Sequence, residues 1–134
     1  MLLIPPRRIK LEVCTALPYN ALMLRFIELP SFTKYVKDYF SDDEYRTLQI
    51  ALVAEPRKGV VIPHSGGVRK MRWAGKGKGT QGGYRIIYYY HQLNGDIWFI
   101  SIYAKSDQEN IEPSLLKKIK GGIDDTYDPQ KSIK

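Results

Sequence analysis

Residues 66 to 90 read Gly-Gly-Val-Arg-Lys-Met-Arg-Trp-Ala-Gly-Lys-Gly-Lys-Gly-Thr-Gln-Gly-Gly-Tyr-Arg-Ile-Ile-Tyr-Tyr-Tyr, and no other stretch limits the chain's choices as much. It holds six basic side chains (Arg69, Lys70, Arg72, Lys76, Lys78 and Arg85) and no acidic one. Two apolar runs flank a glycine-lysine segment, the pattern of a strand, a cationic loop and a second strand. Alternation in the first run puts Lys70 and Arg72 on one face, with Met71 and Trp73 on the other. A sheet face packed on a core has no use for two cations, so these side chains point at something anionic. The net charge of +7 is concentrated here. A focused cationic field interleaved with aromatics suits nucleic acid.

The rest of the chain narrows the class. At 134 residues it is long enough for one domain with little more than a tail. A hydrophobic content of 43% with ten tyrosines supports a packed core and argues against disorder throughout. Cys14 is the only cysteine, which rules out an internal disulfide and a cysteine-based metal site, and fits a reducing cytoplasm. No apolar run approaches the roughly 20 residues of a membrane span. Met1 to Ile4 is apolar, but Pro5, Pro6, Arg7 and Arg8 break it at once, unlike a secretory signal.

In chain order, residues 1–22 show no period and read as an extension of low order. Met23 is a candidate translation start just before the first patterned element. Leu24 to Leu29, closed by Pro30, reads as a first strand. Ser31 is expected to cap a helix carrying Phe32, Tyr35, Val36, Tyr39 and Phe40 at helical spacing. Ser41-Asp42-Asp43-Glu44 forms a capping box for a second helix, with Tyr45, Leu48, Leu52 and Val53 as its stripe and Glu55-Pro56 as its stop. Pro56 to Gly67 reads as loop, followed by the basic strand from Val68. Tyr84 to His91 is a third strand, rich in aromatic and β-branched residues. Asn94-Gly95 marks a tight hairpin into a fourth, Ile97 to Ala104. Ile111 to Ile119 is a short helix with Pro113 in its first turn and Gly121-Gly122 beyond its end. The tail from Asp124 reads as frayed. The order implies an α+β domain over residues 23–122: a helical hairpin on one face of a mostly antiparallel four-stranded sheet whose other face can be wet and charged.

Several chemistries are set aside by spacing. Gly77-Lys78-Gly79-Thr80 leads into a strand, whereas a Walker loop opens a helix, so the glycine-lysine loop is read as presenting Lys76 and Lys78 to a phosphate backbone. His64 and His91 have no ligand neighbours at metal spacing. His91 ends a strand and reads as structural. His64 lies in the loop before the basic strand, where an acid or base can sit. No Gly-x-Ser-x-Gly elbow is present. Tyr88, Tyr89 and Tyr90 cannot all face one way: Tyr89 shares the face of Arg85, Tyr88 and Tyr90 share the opposite one, and some belong to the core while one or two are candidates to stack on a base.

With these motifs in place, the chain resembles the RelE/ParE superfamily of toxins from toxin–antitoxin pairs, and within it the HigB-like branch of RelE. The resemblance rests on Pro56-x-x-Gly59-x-x-Ile62, Gly66 through Arg72, Gly75 through Gly79, Gly82 through Tyr89, and Ile102-Tyr103-Ala104-Lys105. It implies a ribosome-dependent mRNA endonuclease in which the RNA 2′-OH attacks the neighbouring phosphate without a metal or other cofactor. It makes Lys70, Arg72, Arg85 and Lys105 the catalytic candidates. Arg69, Lys76, Lys78, Tyr89 and Tyr103 become contacts to RNA or ribosome. Lys70, Lys105 and Tyr103 are each candidates for the general base. Many members carry an arginine and a tyrosine after the last strand; here Lys105 to Asn110 holds no arginine, and Glu112 stands about where the tyrosine would be. The resemblance also implies a cognate HigA-like antitoxin with a helix-turn-helix, through which alone the toxin would reach operator DNA. The alternatives are a ParE-like gyrase poison and a non-catalytic RNA-binding remnant.

Overall fold

Leu24 and Phe26 to Leu29 are all buried, and the strand they form, β1 (Arg25–Glu28), runs parallel to the longest strand of the sheet. A computed structural model of the chain describes residues 24–74, 83–105 and 111–128. The expectations for residues 1–22 and for Lys76 and Lys78 lie outside the described residues. Helix α1 (Pro30–Tyr39) follows β1 with Pro30 in its first turn, where a missing N–H costs nothing. The expected cap at Ser31 is corrected: Leu29 takes the N-cap position, and the Ser31 hydroxyl donates instead to the Ile100 carbonyl. Helix α2 (Asp42–Ala54) opens on the full capping box, with Ser41 Oγ accepting from the Glu44 N–H and the Glu44 carboxylate accepting from the Ser41 N–H.

The sheet has five strands in the order β1-β5-β4-β3-β2, one more than expected. The added strand is the two-residue β2 (Val60–Val61), paired antiparallel with β3 (Arg69–Trp73) inside the segment read as loop. Two residues are too few for a period to register in sequence. Strands β4 (Tyr84–His91) and β5 (Asp96–Ala104) form the centre, joined by the Asn94-Gly95 turn. Gly83 leads into β4 so close to β3 that a Cβ there would meet the Trp73 carbonyl oxygen at 2.3 Å. Only glycine allows that approach.

Two cores lie on opposite faces of the sheet. The first packs Phe32, Val36, Leu48 and Leu52 of the hairpin on Phe26, Ile86, Tyr88, Phe99 and Ile102, with the Phe32 and Phe99 rings stacked at 4.5 Å. The second lies under helix α3 (Pro113–Thr126), where Leu116 and Ile123 meet Ile27, Ile87, Trp98, Ile100 and Tyr103. The second face is therefore wet and charged only where α3 leaves it open.

Helix α3 corrects another expectation, because it continues through Gly121-Gly122 to Thr126. Two glycines in a helix interior cost together roughly 2 kcal/mol relative to alanine. Burying Ile123, 2% exposed, returns about 1.5–3 kcal/mol. Tyr127 adds hydrogen bonds: its hydroxyl donates to Asp96 Oδ2 at 2.5 Å and accepts from Trp98 Nε1 at 2.7 Å, and its ring stacks on His91 at 3.8 Å. Burial first, then the Asp96 bond, push the Tyr127 phenol pKa up. Asp96 is fully buried and also takes Arg25 Nε and Nη2 at 2.7 and 2.6 Å. Tertiary packing outweighs the local stop signal.

A Cβ at Gly121 would meet nothing within 4 Å. Gly121→Ala is therefore expected to stabilise the protein by about 0.5–1 kcal/mol, read as a raised urea midpoint at unchanged slope.

Candidate nucleic-acid interface and active site

Three strands bring the candidate cations into one row. Arg72 pairs with Arg85 across β3 and β4, and Arg85 pairs with Tyr103 across β4 and β5. One step along, Lys70 pairs with Ile87. Met71 and Trp73 pack into the hairpin core, so alternation leaves Lys70 and Arg72 on the opposite face.

Tyr103 reaches that face because β5 is bulged. Ile87 pairs with Ser101 and Tyr88 with Phe99, so Ile100 stands opposite no residue. Phe99 and Ile102 both enter the hairpin core, while Ile100 and Tyr103 both enter the core under α3. Plain alternation counted from Phe99 would send Tyr103 to the wrong side. Beyond it, the exposed Lys105 is fixed at the strand end by its backbone N–H, which donates to the Gly83 carbonyl at 3.1 Å.

Arg85 is 8% exposed, and among the described residues its guanidinium makes one hydrogen bond, from Nη1 to its neighbour Tyr84's carbonyl at 3.4 Å. The ion pairs among the described residues are Arg25–Asp96 and Lys120–Asp124, and His91 Nε2 lies 3.9 Å from Asp124 Oδ1. None involves Lys70, Arg72 or Arg85. Pairing with an acid across the sheet therefore does not explain Arg85, and an uncompensated buried charge is costly. Its surroundings explain it better. Arg85, Arg72, Lys70 and Lys58 line a cleft of about 770 Å³ walled on its outer side by Val60, Val61 and Ile62. A groove with cations on one wall and apolar side chains on the other focuses a field that draws in a polyanion.

The other candidates are placed elsewhere. Arg69 faces away from Lys70 and Arg72; its Nη1 donates to the carbonyls of Gly59 at 2.8 Å and Arg57 at 3.3 Å. Tyr88 helps there, accepting from the Gly59 N–H and donating to the Pro56 carbonyl, each at 2.8 Å. A Cβ at Gly59 would meet the Tyr88 ring at 2.9 Å, so that position also needs glycine. Together they hold the outer wall of the cleft. Tyr89 shares Arg85's face but lies half-buried beneath α3, its hydroxyl donating to Asp124 Oδ1 at 3.1 Å and its ring 5.9 Å from Lys120 Nζ. His91 lies at the far end of β4 against Tyr127. His64 is exposed in the loop, with φ of 65°.

Lys58 was not foreseen. A single lysine in an irregular segment has no period to betray it, and only the pairing of β2 with β3 swings it to the cleft. A smaller pocket adjoins, lined by Ile62, Lys70, Ile87, Tyr103, Glu112 and Leu116 among others. Among the described residues no cluster of histidine, cysteine or carboxylate side chains has metal-binding geometry. Among them, too, no helix is long and apolar enough to cross a membrane.

Residues 31–126, well over half of the chain, match the family model described as the RelE toxin of the RelE / RelB toxin-antitoxin system. The matched span contains the row on β3, β4 and β5, both walls of the cleft, and the three helices but for Pro30.

Tyr89 supplies a check on how α3 is held. Burial, then the charge and hydrogen bond of Asp124, push its phenol pKa from 10.0 up to about 12. A raised folded-state value favours the protonated form. The stabilisation is therefore complete below pH 10.0 and is lost as pH rises through about 12. Denaturation midpoints across that window should fall, and Tyr89→Phe should make the fall shallower.

Proposed function

The chain belongs to the RelE toxin family, and from that membership we propose that it cuts mRNA on translating ribosomes. As a RelE-family chain it is the toxin of a type II toxin–antitoxin system, and an antitoxin is its partner. The observation that carries the catalytic reading is Arg85: a buried guanidinium without a carboxylate among the described residues, in register with Arg72 and open to a cationic cleft.

In the proposed reaction an mRNA strand lies along the cleft with one phosphodiester at the Arg72–Arg85 pair. The 2′-OH attacks the adjacent phosphorus, its proton passes to a base, and the bond from phosphorus to the 5′-oxygen breaks as that oxygen is protonated. The products are a 2′,3′-cyclic phosphate and a free 5′-OH. Charge grows on the non-bridging oxygens as the phosphorane forms. Arg72 and Arg85 are placed to receive it, so they stabilise the transition state more than the bound substrate. Lys70 and Lys105 flank the row from either end and are the preferred proton carriers, with Tyr103 as the third candidate. Lys58, Lys76 and Lys78 contribute salt-dependent attraction to RNA and ribosome.

By its motifs we place the chain in the HigB-like branch. Its antitoxin is then a HigA-like helix-turn-helix protein that carries the toxin to operator DNA, and its working compartment is the cytoplasm, where ribosomes translate.

The test is primer extension on a defined mRNA, with programmed ribosomes and without. The protein is expected to cut within the A-site codon only when ribosomes are present. Arg85→Ala and Lys70→Ala should each lower the cleavage rate by roughly 10²-fold or more, with the circular dichroism spectrum unchanged. Full activity in either variant would sink the assignment. Intact mRNA beside a gyrase-linked supercoiling defect would replace it with the gyrase reading.

A further inference from the structure

Lys58 differs from the other cations of the cleft, because it comes from outside the strands that carry the row. It is exposed, and no ion pair among the described residues involves it. A lysine in an irregular segment is ordinarily a solvated side chain on a backbone of little order. Here the backbone around it is tied down. Its own N–H donates to the Glu55 carbonyl at 3.1 Å. The Pro56 carbonyl accepts from the Tyr88 hydroxyl at 2.8 Å, and the Arg57 carbonyl from Arg69 Nη1 at 3.3 Å. On the other side, the Gly59 N–H donates to that Tyr88 oxygen and the Gly59 carbonyl accepts from that Arg69 nitrogen, both at 2.8 Å. Every residue from Pro56 to Gly59 thus has a backbone group held, and the Lys58 side chain is left to line the cleft.

The two groups that do the tying belong to the sheet. Arg69 and Tyr88 are cross-strand partners on β3 and β4, the strands that also carry Lys70, Arg72 and Arg85. The place of Lys58 is therefore referred to the same two strands as the row. Burial pushes the Tyr88 phenol pKa up from 10.0, which keeps it a donor through the neutral range. A single strand of RNA repeats its charge at every nucleotide, so a phosphate at Arg72 and Arg85 brings neighbours with it. The cleft's volume of about 770 Å³ leaves room beyond one phosphate.

We propose that Lys58 binds a second phosphate of the strand, next to the one at Arg72 and Arg85, and that Tyr88 and Arg69 are positioning residues that keep it there. The assignment rests on the reading of the cleft as a path for RNA, but its binding half is measured without ribosomes.

The probe is a fluorescein-labelled oligouridylate, bound by the full chain at salt concentrations from about 50 to 200 mM and followed by anisotropy. For single strands each phosphate contact contributes about 0.7 to the slope of log affinity against log salt. Lys58→Ala should make the slope shallower by about that amount. Lys37→Ala, which removes an exposed lysine of α1 on the hairpin side of the sheet, should leave it unchanged. Tyr88→Phe, which changes no charge, should reproduce the loss seen in Lys58→Ala, and the double variant should lose no more than either single one. Where circular dichroism shows that Tyr88→Phe does not fold, Arg69→Lys replaces it, because it keeps the charge while an ammonium lacks the fork that serves two carbonyls. An unchanged slope in Lys58→Ala, an equal fall in Lys37→Ala, a wild-type slope in the folded positioning variant, additive losses in the double variant, or no binding at the lowest salt overturns the proposal. On translating ribosomes Lys58→Ala should raise KM at unchanged kcat, since it removes a contact made equally before and during the reaction. A fall in kcat at unchanged KM also overturns it. The expected slopes in a protein that cuts no mRNA would uphold Lys58 and remove the nuclease reading.

Discussion

The bulge at Ile100 governs how the two halves of the molecule fit together. Strand β5 is buried along its whole length and pairs with β1 on one side and β4 on the other. Up to Phe99 its odd-numbered residues face the hairpin; after the extra residue, the even-numbered Ile102 does. This exchange lets one strand fill the hairpin core at both ends and still deliver Tyr103 to the face that carries Arg85 and Lys70. The bulge is pinned from outside, because the Ser31 hydroxyl takes the Ile100 carbonyl and the Leu29 N–H bonds to the Phe99 carbonyl at 2.9 Å. A register slip would carry every side chain of β5 to the wrong core.

Much of this was legible in the residues. The hairpin stripes, the capping box at Ser41, strand β4 to its last residue and the alternation of Lys70 and Arg72 all follow from short-range pattern, where each residue's role is set by neighbours within one turn or one pleat. What escaped notice depends on partners far away in sequence. Strand β2 exists because Tyr88 and Arg69 hold Gly59. Helix α3 passes two glycines because Ile123 finds a core and Tyr127 finds Asp96. Parity puts Tyr89 on the face of Arg85, but parity does not reveal that α3 lies across it. Likewise the candidate row was readable as a set of cations, while the lack of a carboxylate partner for Arg85 among the described residues is a fact of three-dimensional arrangement.

Charge is handled differently on the two sides of the sheet. At the β1 end, Asp96 is buried and satisfied by Arg25 and Tyr127, and beside the helical hairpin Glu28 is buried and satisfied by the hydroxyls of Thr33 and Tyr45 at 2.8 and 2.6 Å. Those carboxylates are structural: Asp96 ties together segments distant in sequence, and Glu28 ties β1 to the two helices that follow it. Among the described residues the cations of β3 and β4 have no such carboxylate partners. Lys70 and Arg72 stay exposed, and only Arg85 is buried, a desolvation that a bound phosphate would relieve under the proposed function.

The Tyr88 hydroxyl has a consequence for the cleft. A two-residue strand at the margin of a sheet ordinarily frays, since few ladder bonds restrain it. Here the ring of Tyr88 is locked in the hairpin core while its oxygen grips Pro56 and Gly59, so the outer wall inherits the rigidity of the interior. The wall is held in place by bonds within the chain itself, and a strand bound as proposed would be spared the entropy of ordering it.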